Sequence, residues 1–121
     1  MGVDCPLPST ANMWRVGGDI GPNFGSVLRL LDIDEAHAQA AGPGSWNDAD
    51  MLEVGNGMNT AADKAHFSLW CMLASPLVAG NDVRTMSPAT AAILTNAHAI
   101  AVNQVRMFNR VLERVCQLSS F

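Results

Sequence analysis

Apolar positions along the chain follow two alternating rhythms. From 24 to 31, Phe24, Val27, Leu28 and Leu31 fall at i, i+3, i+4 and i+7, the spacing of one helical face. A second helix is expected from about Thr60 to Ala74, with Phe67, Trp70, Cys71 and Ala74 along one side. Thr60, followed three residues later by Asp63, resembles a capping box with Asp in place of Glu. Ser87-Pro88 reads as a third helix start, a capping hydroxyl before a proline at the first position, for a helix reaching about Asn96. Short apolar runs at 13–16, 51–54, 76–80 and 100–102 read as strands, and 32–41 as a helix end or short helix. Residues 1–13 are loop-like, and turns are expected at Gly17-Gly18, Gly42-Pro43-Gly44, Gly55-Asn56-Gly57 and 81–84.

Strands alternating with helices predict an α/β fold with parallel strands and crossover helices. Polar and acidic residues sit near the strand ends: Asp19, then Asp48 and Asp50, then Asn81 and Asp82. Ligands of α/β folds gather at the carboxyl ends of strands, so the layout points to a site there. Asp82 is placed to pair with Arg84.

Composition narrows the partners. The chain has 121 residues, enough for one small domain with its own core. Seven basic residues against eleven acidic ones give a formal charge of −4 with no basic cluster, which argues against nucleic acid or an anionic membrane as partner. The apolar run 74–80 is broken by Pro76 and far too short to span a membrane, and the N-terminus carries no signal-peptide pattern. Cys5, Cys71 and Cys116 have no metal-ligand spacing, and Cys71 reads as a plain buried thiol. His37, His66 and His98 likewise lack ligand spacing and read as surface or capping residues, so no metal is expected. With 49% hydrophobic and only 15% charged residues, the chain should bury surface against something beyond its own ends.

Two stretches concentrate the chemistry: Trp14-Arg15-Val16-Gly17-Gly18-Asp19-Ile20 and the run from Gly42 to Leu52 containing Trp46, Asp48, Asp50 and Met51. Each sets carboxylates beside an indole, with glycines that permit sharp turns. Carboxylates move protons and bind hydroxyls, and indole faces cover the apolar side of a pyranose, so the composition suits a sugar-binding acid/base site. Taken singly, the same residues have plainer readings. Asp48 and Asp50 could form an Asx-turn or cap a helix, Trp14 and Trp46 could be core, and Trp70 within its helix reads as core.

The segment Gly42–Met58, GPGSWNDADMLEVGNGM, resembles the signature of family 27 glycoside hydrolases, the α-galactosidase (melibiase) family. The resemblance continues through His66-Phe67-Ser68-Leu69-Trp70, Ala74-Ser75-Pro76-Leu77, Asn81-Asp82-Val83-Arg84 and Ile100-Ala101-Val102-Asn103-Gln104. It implies a (β/α)8 TIM barrel, of which residues 1–104 would be a C-terminal portion, about strands six to eight with their helices. Residues 105–121 diverge and are expected to form a helical tail, with Phe108, Val111, Leu112 and Val115 on one face. An open barrel piece leaves strand edges unpaired, so a missing barrel half or a second copy of the chain is an expected partner.

The resemblance further implies a retaining glycosidase releasing terminal α-linked galactose from oligosaccharides or glycoconjugates, without metal or cofactor. Asp19 would be the general acid/base, Arg15 would help hold nucleophile and substrate, Asp50 and Met51 would line the pocket, and Asp48, Trp14 and Trp46 would support it. Such an enzyme pairs two carboxyls about 5 Å apart. The family's nucleophile belongs to a lysine-x-aspartate stretch that does not occur in this chain. Two alternatives follow. Asp4-Cys5-Pro6-Leu7-Pro8 stands where many members carry a Cys-Glu-Trp segment that selects the sugar, leaving α-N-acetylgalactosaminidase open. A non-catalytic fragment that binds sugar or associates with protein is the other. Family members are usually secreted, lysosomal or vacuolar.

Overall fold

The computed structural model describes residues 11–105. Within them the order is β1 (Met13–Arg15), α1 (Phe24–Ala36), a 3-10 turn (Ala38–Ala40), β2 (Trp46–Asp48), α2 (Thr60–Met72), α3 (Pro88–Leu94) and α4 (Ala97–Asn103). The fold is α/β. β1 and β2 pair in parallel, with Met13 opposite Trp46, Trp14 opposite Asn47 and Arg15 opposite Asp48. Beyond this two-stranded sheet, an isolated parallel bridge pairs Leu52 with Ala79, with Leu52 N donating to Val78 O at 2.8 Å and Gly80 N to Leu52 O at 2.9 Å.

Each helix starts where a side chain satisfies an otherwise orphaned amide. Asn23 accepts from Ser26 N ahead of α1, and Ser87 accepts from Thr90 N ahead of α3, with Pro88 at the first helical position as expected. For α2 the cap is Asn59, not Thr60, and it accepts from Ala62 N. Asp63 is thereby free of the capping role expected for it and accepts instead from Gly55 N at 3.2 Å, tying a loop to the helix.

The core lies between the strands and the helices. Val27, Leu30, Leu52, Val54, Phe67, Trp70 and Cys71 interlock there, and α2 packs against α1, α3 and α4. Burial of a large apolar side chain is worth about 1.5–3 kcal/mol, so Trp70, Leu30 and Leu52 anchor this layer. Cys71 is buried as expected, and burial pushes its thiol up to about 11. The strand faces alternate. Trp14 and Asn47 share the covered face, where both are buried and Asn47 Nδ2 donates to His37 O at 3.0 Å. Met13, Arg15, Trp46 and Asp48 share the other face, and there Met13 is 52% exposed.

Three expected strands are corrected. The second strand is Trp46–Asp48, and of 51–54 only Leu52 makes a bridge. Asp50 has φ of 85°, which interrupts the extended run, while the polar Asn47 and Asp48 sit within the strand because each has its own hydrogen-bonding partner. The last expected strand, 100–102, is inside α4. Asn96 caps that helix by accepting from His98 N and Ala99 N, and Asn103 Nδ2 fastens its end to Ser75 O at 2.9 Å. A three-residue apolar run has no period of its own, so the local caps decide. Of 76–80, Ala79 alone forms a bridge. The expected tail helix, the 4–8 segment, Cys5 and Cys116 lie outside the described residues. No helix among the described residues is long and apolar enough to cross a membrane.

Candidate functional site

The parallel register brings the ends of β1 and β2 together, so the chain leaving Arg15 and the chain leaving Asp48 run into adjacent loops. The first loop passes close over α1. A Cβ on Gly17 would lie 2.6 Å from Leu30 Cδ2, so a side chain here would have to displace that buried methyl. Arg29 of α1 then donates to the carbonyl of Asp19 at 3.0 Å and fixes that backbone, while the Asp19 side chain is 100% exposed. Among the described residues nothing covers this carboxylate.

Asp50 organises the second loop. Its Oδ2 accepts from Arg15 Nη2 at 2.8 Å and from Ile20 N at 2.7 Å, and its Oδ1 accepts from Met51 N at 2.8 Å. Its own N–H donates to Asp48 Oδ1 at 2.9 Å, and its carbonyl accepts from Trp70 Nε1 at 2.7 Å. The residue adopts a left-handed backbone that an aspartate tolerates better than most side chains. The guanidinium of Arg15 also reaches Asp19 Oδ1 and Gly17 O, both at 3.4 Å, while its Nε is buried with no acceptor among the described residues. Arg15 therefore stands between two carboxylates, one enclosed and one open to solvent.

Met51 lies beside this cluster, 40% exposed, with its sulfur over Gly80: a Cβ there would lie 2.8 Å from Met51 Sδ and 2.7 Å from Leu52 O. Thus Arg15, Asp19, Asp48, Asp50 and Met51 are gathered at one end of the strand pair. Trp14 and Trp46 are not. Trp14 is buried on the covered face. Trp46 begins β2, at the opposite end from Asp19, and borders an open groove of about 540 Å³ with Ala74, Ser75, Pro76, Leu77, Asn103 and Gln104. Asp82 and Arg84 form the expected exposed ion pair, with Arg84 Nη2 to Asp82 Oδ2 at 2.7 Å, and Arg84 holds the Asp82 carboxyl below its usual range.

His66 corrects the expectation of a surface or capping histidine. It is fully buried, its Nε2 accepts from Glu53 N at 3.0 Å, and its ring stands edge-on to Trp70 with centroids 4.2 Å apart. Burial lowers its pKa to about 4 and keeps the ring neutral. The signal was present in the sequence, since His66 stands four residues before Trp70 on the apolar face of α2. Asp34 is a second buried ionisable group that the pattern did not reveal. Burial pushes its carboxyl up to about 6, against the opposing influences of His37 and a hydrogen bond from Asn47. Among the described residues no group of three or more His, Cys, Asp or Glu could hold a metal ion.

Comparison with known proteins gives a consistent result. The model of a family described as Alpha galactosidase A (Melibiase_2) matches residues 5–105. Alpha-galactosidase A of Cellvibrio japonicus is 52% identical over 105 residues, covering 78% of this chain and 26% of that protein. Alpha-galactosidase I from Mortierella vinacea superimposes with a TM-score of 0.79 at 37% identity, over 84% of this chain and 31% of that one. The Saccharomyces cerevisiae alpha-galactosidase solved with raffinose gives 0.77 at 34% identity, over 79% and 26% of the two chains. This chain spans about a quarter of the length of the curated relatives it matches.

Proposed function

Because the chain belongs to the Alpha galactosidase A family, we propose that it is part of the catalytic barrel of a retaining glycosidase that releases terminal α-linked galactose. In this reading residues 1–104 contribute about strands six to eight of a (β/α)8 barrel, and the exposed face of Met13, Arg15, Trp46 and Asp48 turns toward the rest of it. The solved relative with raffinose supports an α-galactoside as substrate.

The observation that carries the reading is the Asp19–Arg15–Asp50 arrangement at the strand ends. In a retaining mechanism one carboxylate attacks the anomeric carbon and displaces the leaving oxygen, which a second carboxyl protonates. That second group then takes a proton from water as water releases the covalently held sugar. Asp19 fits the proton-transfer role because its carboxylate is the one left open to a ligand. Asp50 fits the fixed member that holds Arg15 in place. The exposed part of the Arg15 side chain is left to face the nucleophile or substrate, groups contributed from elsewhere in the barrel. Desolvation of Asp19, which a proton donor needs, would come from the sugar and the facing strands.

Turnover of 4-nitrophenyl α-galactoside by the full protein tests this, with the Asp19→Asn variant beside it. Turnover that collapses in the variant supports the reading. Preference for the N-acetylgalactosaminide would move the specificity to α-N-acetylgalactosaminidase. No turnover of either substrate by the unsubstituted protein would leave the non-catalytic alternative standing.

A further inference from the structure

The left-handed peptide at Asp50 is gripped from beneath by α2 at two points. Trp70 donates its indole N–H to the carbonyl of Asp50, and one helical turn earlier His66 accepts the amide of Glu53. The two side chains brace each other edge to face. The bond from Glu53 N requires an unprotonated Nε2, so the proton of the neutral imidazole sits on Nδ1. Both side chains are fully buried. α2 therefore clamps residues 50 and 53, three apart in the loop, with residues 66 and 70, four apart on one face of the helix.

We infer that His66 and Trp70 are positioning residues for the Arg15–Asp19 pair, acting through the backbone of Asp50. An aspartate with φ of 85° persists only where its surroundings over-determine it. Fixing the carbonyl aims the carboxylate, because a left-handed residue between two anchored peptides has little freedom to turn. The aimed carboxylate then does two things at once: it holds the amide of Ile20, next to Asp19, and it holds the guanidinium of Arg15. The loop carrying Asp19 is thus registered to α2 through the Asp50 carboxylate, in addition to the packing of Ile20 in the shared core. The reach toward catalysis rests on the functional reading above, whereas the mechanical coupling does not.

Native-state hydrogen exchange on the 15N-labelled full chain, unsubstituted and as Trp70→Phe, tests the coupling. Phe keeps a ring against His66 but removes the N–H donor together with part of the buried indole, so the amides inside α2 serve as the control for lost packing. The amides of Ile20 and Met51, which both donate to Asp50, should exchange about tenfold faster in the variant, with much smaller changes at Phe67 and Leu69 inside α2. Equal acceleration at every site, or none at Ile20, overturns the inference. If the variant does not fold, the unsubstituted chain decides: the Trp70 indole N–H and the Ile20 amide should open with the same denaturant dependence. Opening of Ile20 in a separate, smaller unfolding event overturns it. In the active protein, Trp70→Phe should lower kcat on the aryl galactoside about tenfold or more with little change in KM. A KM change alone would overturn the catalytic part, while an inactive unsubstituted protein would overturn only the functional reading, since exchange needs no turnover.

Discussion

Arg15 Nη2 and Asp50 Oδ2, thirty-five residues apart in sequence, meet at 2.8 Å across the ends of two parallel strands. The contact is asymmetric: the Asp50 side chain is nearly enclosed while the Arg15 side chain is part exposed. The enclosed partner is the costlier one to disturb. Its two oxygens accept from Arg15 and from the amides of Ile20 and Met51, so removing the carboxylate strands a guanidinium and two backbone donors together.

Substitution at Asp50 should separate charge from backbone strain. Asp50→Asn keeps a side chain that tolerates the left-handed region but has only one accepting oxygen, and a loss of about 1–3 kcal/mol is expected from unmatched donors. Asp50→Ala should lose about 1 kcal/mol more than Asp50→Gly, because glycine alone meets the φ of 85° without strain. Urea midpoints of the three variants check the order.

Asp19 should behave in the opposite way. Its fully exposed carboxylate contributes no burial, so Asp19→Asn should leave the unfolding midpoint where it is. Turnover by the full protein should fall about 10²–10⁴-fold, the usual worth of general acid/base catalysis. A parallel loss of stability and activity would place Asp19 in the scaffold instead.

Two buried groups should give opposing pH dependences of stability. His66 has a folded pKa of about 4 against an ordinary 6.5, so only the unfolded chain takes up its proton as pH falls below 6.5. Its contribution to stability is full above pH 6.5 and is lost between there and pH 4. Asp34 has a folded pKa of about 6 against an ordinary 3.8, so the folded chain takes up that proton first. Stability is regained as pH falls from 6 to 3.8. Displacements of this size are worth about 3 kcal/mol each, so the two nearly cancel in the unsubstituted chain. Asp34→Asn should therefore lose stability on acidification from pH 7 to 4 more steeply than the parent, and His66→Gln should lose less or gain. Urea unfolding at pH 7, 5 and 4 reads both slopes.

Gly80 and Gly18 should respond differently to alanine. At Gly80 the new Cβ would press on the carbonyl of Leu52, a backbone atom that cannot step aside without breaking the Gly80–Leu52 hydrogen bond. A loss of about 1–3 kcal/mol is expected, as for overpacking, with Met51 displaced. At Gly18 nothing lies within 4 Å, so the substitution should be nearly neutral. Thermal unfolding of the two variants compares them directly.

Much of this architecture was legible in the residues. The existence of α1, the apolar face of α2, the Ser87-Pro88 start of α3 and the alternation that implies parallel strands are local signals, carried by side-chain period and capping groups. The expected face of α1 is corrected: Val27 and Leu30 are buried, whereas Phe24 and Leu28 are exposed, because the direction in which a helix packs is set by its partners. Motif order alone was enough to indicate the family and to bring Arg15, Asp19, Asp50 and Met51 forward as candidates. Local signals failed where a residue's choice depends on a distant partner. Trp46–Asp48 is a strand although two of its three residues are polar, because Asn47 reaches His37 and Asp48 reaches the amide of Asp50.

Tertiary structure decided the rest. The spacing of His66 from Trp70 puts it on the apolar face of α2, but the partner of its ring follows only from α2 lying under the loop that carries Glu53. Trp14 and Trp46 look alike in sequence, yet strand direction and pleat put one on the covered face and the other at the far end from Asp19. The sequence by itself determined which side chains can do chemistry and where α1, α2 and α3 form, since those depend on composition and short-range spacing, whereas part of α4 was read as a strand. Which carboxylate is enclosed and which faces solvent was decided by packing across thirty or more residues, because burial belongs to a side chain's surroundings and not to the side chain.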